Sequence, residues 1–100
     1  MKMYILIRDD LPIGHAVLAS AHASLAAYLR FADRAEVKDW LGGPFSKVVC
    51  RVNDKEFARA KDFPDNIVLT ESTLDHKEVA IAFCPRREWP KPFRFYKLFN

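Results

Sequence analysis

Apolar residues fall along this chain in short runs of two kinds. Met3-Tyr4-Ile5-Leu6-Ile7 is continuously apolar and rich in branched side chains, the pattern of a strand covered on both faces. It predicts a first strand over Lys2 to Arg8. Ala16 to Phe31 has no internal Gly or Pro and holds six alanines, so it reads as one unbroken helix. Leu18, His22, Leu25 and Leu29 form one stripe of it, and Ala19, Ala23, Ala26 and Ala27 the next. The alanine side allows close approach of helix to sheet. His22, embedded in this pattern, reads as a buried, hydrogen-bonded histidine. Asp33-Arg34 breaks the helix. Ala35 to Leu41 predicts a second, short one with Val37, Trp40 and Leu41 facing inward, ended by Gly42-Gly43-Pro44 in C-cap order.

Ser46 to Val52 is a second strand. Asn53-Asp54 caps a third helix over Lys55 to Asp62, with Phe57 and Ala60 as its apolar contacts. Phe63 to Asn66 is a turn and Ile67 to Thr70 a short third strand. The polar stretch from Glu71 to Lys77 is too short for a helical crossover. Strand three and a fourth strand, Glu78 to Cys84, are therefore expected to be an antiparallel pair. The two earlier strand–helix–strand units call for parallel neighbours joined by right-handed crossovers. The expected fold is a small α/β domain, 1–100, around a four-stranded mixed sheet.

From Pro85 the composition changes. Residues 85–100 hold five basic residues against one acid, a charge of +4, so the rest of this +3 chain is about −1. Basic residues interleaved with aromatics suit phosphates and stacked bases. Equally, Trp89, Phe93, Phe95 and Phe99 could pack on the core and leave the charges in water. No apolar run approaches the length of a transmembrane span, and the N-terminus runs straight into a strand without a signal-peptide pattern. Cys50 and Cys84 sit in apolar runs and form no C-x-x-C pair, as expected of buried thiols in a reducing cytoplasm.

The candidate chemistry gathers at Asp9-Asp10-Leu11-Pro12-Ile13-Gly14-His15, where the first strand gives way to the helix. In open α/β sheets ligands bind at that edge, and free N–H groups at a helix N-terminus favour anions. Gly14 leaves the backbone open there and His15 sets an imidazole beside it. That ring is suited to act on a water or, protonated, to bind a phosphate; otherwise it is an exposed first-turn residue without a role. Asp9 and Asp10 read as a helix cap and a strand-end turn. Glu71, just past the third strand, is placed to point over the same edge, with Ser72 and Thr73 as hydrogen-bond donors. A G-x-S-x-G elbow, a P-loop and a G-x-G-x-x-G loop are all absent. His15 and His22 would lie about 10.5 Å apart along a helix, too far to share a zinc ion with ligand bonds of roughly 2.0–2.1 Å. No metal and no cofactor are expected.

Four segments, taken in order, resemble the type II peptidyl-tRNA hydrolases. A first strand runs into Asp10-Leu11. The helix carries His22-Ala23-Ser24-Leu25-Ala26-Ala27-Tyr28, close to the family's His-Ala-Ala-Leu-Ala-Ala-Tyr. Lys47-Val48-Val49 precedes a helix, and Phe83-Cys84-Pro85 leads to a terminal Tyr96-Lys97-Leu98-Phe99. The resemblance implies a three-layer α/β/α sandwich around a four-stranded mixed sheet. It also implies hydrolysis of the ester joining a peptide to the tRNA 3′ end, without a metal. The family's loop after the first strand is Gly-Lys-Gly-Lys; here Ile13-Gly14-His15-Ala16 is shorter and lacks lysine, with His15 nearest in position. The family's aspartate after the third strand falls near Glu71, and its next segment has no counterpart in Ser72 to His76.

Two functions remain open on these grounds. In the first, an ester hydrolase, His15, His22 and Glu71 are the catalytic candidates. Asp10, Gly14, Ala16, Ser72 and Thr73 meet the substrate, and Arg86, Arg87, Lys91 and Arg94 track the tRNA. In the second, the same fold binds a small anion, a nucleotide or a protein partner without turnover. Tight association with a membrane is not expected in either, and the protein would be a monomer or a homodimer.

Overall fold

The computed structural model describes residues 1–100. Its elements in order are β1 (Met3–Arg8), α1 (Ile13–Phe31), α2 (Ala35–Gly42), β2 (Lys47–Val52), α3 (Asp54–Ala60), β3 (Asn66–Glu71), β4 (Lys77–Phe83) and β5 (Lys97–Leu98). Short 3-10 turns occupy Ser72–Leu74 and Lys91–Arg94. The α/β class is as the pattern predicts, but the mixed sheet has five strands rather than four, in the order β3-β4-β1-β2-β5. The fifth arises because the tail, once Tyr96 is buried, turns along the open side of β2. Lys97 and Leu98 pair with Arg51 and Cys50 there, and the Phe99 amide donates to the Val49 carbonyl at 2.9 Å.

β1 is the central strand, parallel to β2 and antiparallel to β4, and β3 and β4 form the expected antiparallel pair. The second crossover departs from expectation. β3 runs in the same direction as β2 but lies beyond β1 and β4, at the far side of the sheet. The rims of β1, β2 and β3 at which these strands end therefore coincide.

Alternation along β1 explains the layers. Met3, Ile5 and Ile7 enter the cluster under α1 and α2, whereas Tyr4 and Leu6 enter the one under α3 and the tail. Ala16, Ala19, Ala23, Ala27 and Phe31 form the buried face of α1, so small side chains bring the helix down onto β1, β3 and β4. The leucine stripe is consequently turned out: Leu18, Leu25 and Leu29 are exposed, and so is His22, which makes no hydrogen bond. A histidine one position before Ala23 is rotated about 100° from the buried face, which overturns its reading as a core residue. Leu41 is likewise exposed rather than inward.

Asn53 caps α3 in a reciprocal box with Glu56: Asn53 Oδ1 accepts from the Glu56 amide at 2.8 Å and Glu56 Oε1 from the Asn53 amide at 2.9 Å. In the tail, Phe93 is buried among Tyr4, Phe63, Phe83, Trp89 and Tyr96, with ring centroids 4.9 to 5.3 Å away. Phe95 is 71% exposed, so the tail anchors through Phe93, Tyr96, Trp89 and Phe99 and not through Phe95.

Candidate functional site

α1 starts one turn earlier than its apolar pattern suggests. Pro12 occupies the N-cap position and its carbonyl accepts from the Ala16 amide at 3.0 Å. Proline has no N–H to leave unpaired and its fixed φ suits a helix start. Ala16 is thus committed to the helix, so its amide is not the free donor expected of it, and the amides left without an intrahelical acceptor are those of Ile13, Gly14 and His15. No side chain caps these donors and the first turn holds no acid, so Asp9 and Asp10 are not caps. A Cβ built on Gly14 would meet nothing within 4 Å; the helix end is open on that side.

His15 stands on this turn, and its Nε2 lies 3.1 Å from the Thr73 hydroxyl on the β3–β4 connection. Thr73 in turn donates both its hydroxyl, at 2.9 Å, and its amide, at 3.1 Å, to Glu71 Oε2. A hydroxyl has one proton to give. With that proton on the carboxylate, Thr73 Oγ1 accepts from His15, which assigns the ring's hydrogen to Nε2 and leaves Nδ1 without a protein partner. The two Thr73 hydrogen bonds, followed by the charges of His15 and His22, hold the Glu71 carboxyl below its ordinary range. The connection is tight: the His76 amide closes it on the Glu71 carbonyl at 3.0 Å, and Asp75 and His76 take left-handed backbone conformations.

Asp10 is turned away from this group to Lys77 at the start of β4, 2.7 Å away, and that hydrogen bond is the main reason its carboxyl is lowered. Lys77 brings a cation to the rim that the sequence reading passed over. The antiparallel return of β4 was the signal for it, since a strand leaving Glu71 through a short turn must begin at the same rim. Ser72 is exposed and makes no side-chain hydrogen bond. Beside Glu71 an apolar groove of about 350 Å³ runs between α1 and β3, lined by His22, Leu25, Leu29, Leu69 and Val79 among others.

The tail's cations are not brought to this rim. Arg86 is bridged through its backbone to Lys2 at the other end of β1, donates to the Pro64 carbonyl at 3.0 Å and lies 4.6 Å over the Trp89 ring. Arg87 follows it there, and Lys91 and Arg94 belong to the 3-10 turn on the α3 side. No three His, Cys, Asp or Glu side chains are grouped as a metal ion would need. No helix is long and apolar enough to cross a membrane.

These features define a three-layer α/β protein with an open helix N-terminus and a histidine–threonine–glutamate chain at the rim where its parallel strands end. The family described as peptidyl-tRNA hydrolase PTH2 matches residues 1–62. The chain belongs to the PTH2 peptidyl-tRNA hydrolase family. No curated protein matches it. The matched stretch carries β1 through α3, and with them His15 and His22; Glu71, Thr73 and the tail follow it.

Proposed function

We propose that the protein hydrolyses the ester between a peptide, or a related acyl group, and the 3′ end of tRNA, using His15, Thr73 and Glu71 as its acid–base group. The observation that carries this reading is the hydrogen-bonded chain from His15 Nε2 through the Thr73 hydroxyl to Glu71, set beside unpaired amides. His15 Nδ1 takes a proton from the attacking water as its oxygen bonds to the ester carbon, and returns that proton to the ribose oxygen as the ester C–O bond breaks. The imidazolium so formed is stabilised by the carboxylate through the interposed hydroxyl, a variant of the logic by which a carboxylate orients a catalytic histidine. The Ile13, Gly14 and His15 amides receive the oxyanion. The acyl side chain lies in the groove lined by Leu25, Leu29 and Leu69, and His22 contacts the substrate from the groove wall.

Family membership supports the substrate class, and the geometry supports acid–base chemistry without fixed lysine charge at this turn. The test is release of peptide from an N-acylaminoacyl-tRNA. His15→Ala is expected to abolish release while the circular dichroism spectrum stays unchanged. A wild-type protein that binds tRNA yet releases no peptide anywhere from acid to mildly alkaline pH would overturn the proposal and leave a non-catalytic binding module.

A further inference from the structure

Between α3 and the tail lies a hollow of about 400 Å³ lined by Phe63, Pro92, Phe95 and Tyr96, with Arg59 and Lys91 beside them. A second hollow, of about 190 Å³, shares Phe95 and Glu56 with the first and adds Arg51, Lys97, Asn53 and Asp9. Phe95 is thus common to an apolar hollow and a charged one. Its ring is 71% exposed and meets no other aromatic ring. The backbone beneath it is nevertheless fixed. Phe93 and Tyr96 are buried on either side, and the Phe95 amide donates to the Pro92 carbonyl at 3.0 Å.

The cations around that ring are free. Arg51, Arg59, Lys91 and Lys97 are absent from the four ion pairs of the molecule and from its cation–ring contacts. Arg51 stands directly opposite Lys97 in the β2–β5 ladder, and like charges so placed repel. Arg51 Nε is also the one buried side-chain polar atom of the molecule without a hydrogen-bond partner, so no group of this chain offsets its charge. A carboxylate held near both cations would relieve their repulsion. An exposed aromatic ring set among arginines and lysines on a fixed backbone has the composition of an interface centre, and its ordering costs nothing further on binding. A second copy would set this basic face against itself. The carboxylates of Glu56 and Asp9 oppose a chain of phosphates along the walls, whereas a peptide can space its acids to avoid them.

We infer that this face docks an acidic peptide segment of a partner protein. An aromatic or leucine side chain of that segment enters the apolar hollow against Phe95, and its flanking carboxylates meet Arg59 and Lys91 on one side and Arg51 and Lys97 on the other. The surface uses none of the residues of the His15–Thr73–Glu71 chain, so binding here does not depend on ester cleavage.

The test uses the full chain and a short fluorescein-labelled peptide of aspartates and glutamates around a central phenylalanine, read by fluorescence anisotropy. The peptide should bind saturably. Replacing its phenylalanine by serine should weaken binding at least about 10-fold, as loss of an interface centre does. Phe95→Ser should weaken it as much with an unchanged Tm, and the two losses should not add, because the two rings meet each other. Lys91→Ala and Lys97→Ala should each cost up to about 5-fold, and Lys38→Ala, on the exposed side of α2, nothing. A peptide with lysines in place of its acids should not bind. Absence of binding by the phenylalanine peptide would overturn the inference, as would equal binding by the serine peptide or by Phe95→Ser. A single-stranded RNA that bound as tightly as the peptide and lost affinity equally in Phe95→Ser would overturn it in favour of a nucleic acid partner.

Discussion

Replacing Thr73 by valine separates the relay from the fold. The side chain keeps its shape and loses one oxygen, the atom that sits 3.1 Å from His15 Nε2 and 2.9 Å from Glu71 Oε2. The Thr73 amide keeps its own 3.1 Å bond to the carboxylate, so the turn stays capped. Thr73 is exposed, and the stability lost is that of one surface hydroxyl bond, no more than about 1.5 kcal/mol. Turnover should respond far more. A positioned general base contributes roughly 10²–10⁴-fold, and uncoupling it from its carboxylate should cost the lower end of that range, about 2.7 kcal/mol in the barrier. A second readout follows from the carboxylate itself. The Thr73 hydroxyl is one of the main groups holding Glu71 below its ordinary range, so in Thr73→Val the Glu71 titration, followed by NMR of its side-chain carboxyl carbon, should move up. Thr73→Ser should restore both turnover and the low titration. If Thr73→Val turned over like wild type while its Glu71 titration rose, the chain of hydrogen bonds would be structural and the acid–base assignment wrong.

Other consequences concern stability. Asn53→Ala removes one half of the box that starts α3 and should cost about 0.5–2 kcal/mol, seen as a lower Tm; Glu56→Gln, which can still accept from the Asn53 amide, should cost much less. Asp65 is held below its ordinary 3.8 mainly by its hydrogen bond from Arg34. A carboxyl depressed in the folded state stabilises above its unfolded value and loses that contribution as pH falls through the folded one. Arg34→Met should therefore lower the urea midpoint slightly at neutral pH, as an exposed ion pair would, and the difference should vanish in strong acid. Burial pushes the Cys50 thiol up to about 11 and raises Cys84 as well. Neither should react with an alkylating reagent in the native state near neutral pH, and both should react at once in denaturant, as mass spectrometry would show.

Local pattern carried most of the architecture. The doubly covered β1, the alanine face of α1, the Asn53 cap and the β3–β4 hairpin are each encoded within a few neighbouring residues. What pattern left ambiguous was rotation: α1 bears two apolar stripes side by side, and only packing decides that alanine goes in and leucine out. A helix seated that low on a sheet leaves no room for Leu25 or Leu29 beneath it, and His22 turns outward with them. The fifth strand was hidden for a different reason, since Lys97-Leu98 has no strand pattern of its own and exists because β2 offers an unpaired side. The tail's charge was legible and its destination was not. The Phe93 anchor fixes where Arg87 and Arg94 end up, and a buried aromatic contact with Tyr4 is not visible in a run of basic residues.

The placement of β3 brings the rim residues together. Had β3 paired directly with β2, as two successive strand–helix–strand units suggest, Glu71 would stand on the β2 side of β1, away from α1. Instead β4 intervenes beside β1 and β3 lies outside it, while α1 lies across β1, β4 and β3 on its alanine face. The first turn of α1 and the β3–β4 connection are thereby carried to the same rim, and the pairing of Asp10 with Lys77 fastens the β1–α1 loop to the start of β4. His15 reaches Thr73 across 58 residues of sequence because the hairpin, not the crossover, occupies the ground under the helix. An inward leucine stripe would have lifted α1 from the sheet and taken His15 out of reach of the hydroxyl, so the small residues under the helix are a condition of the site as much as of the fold.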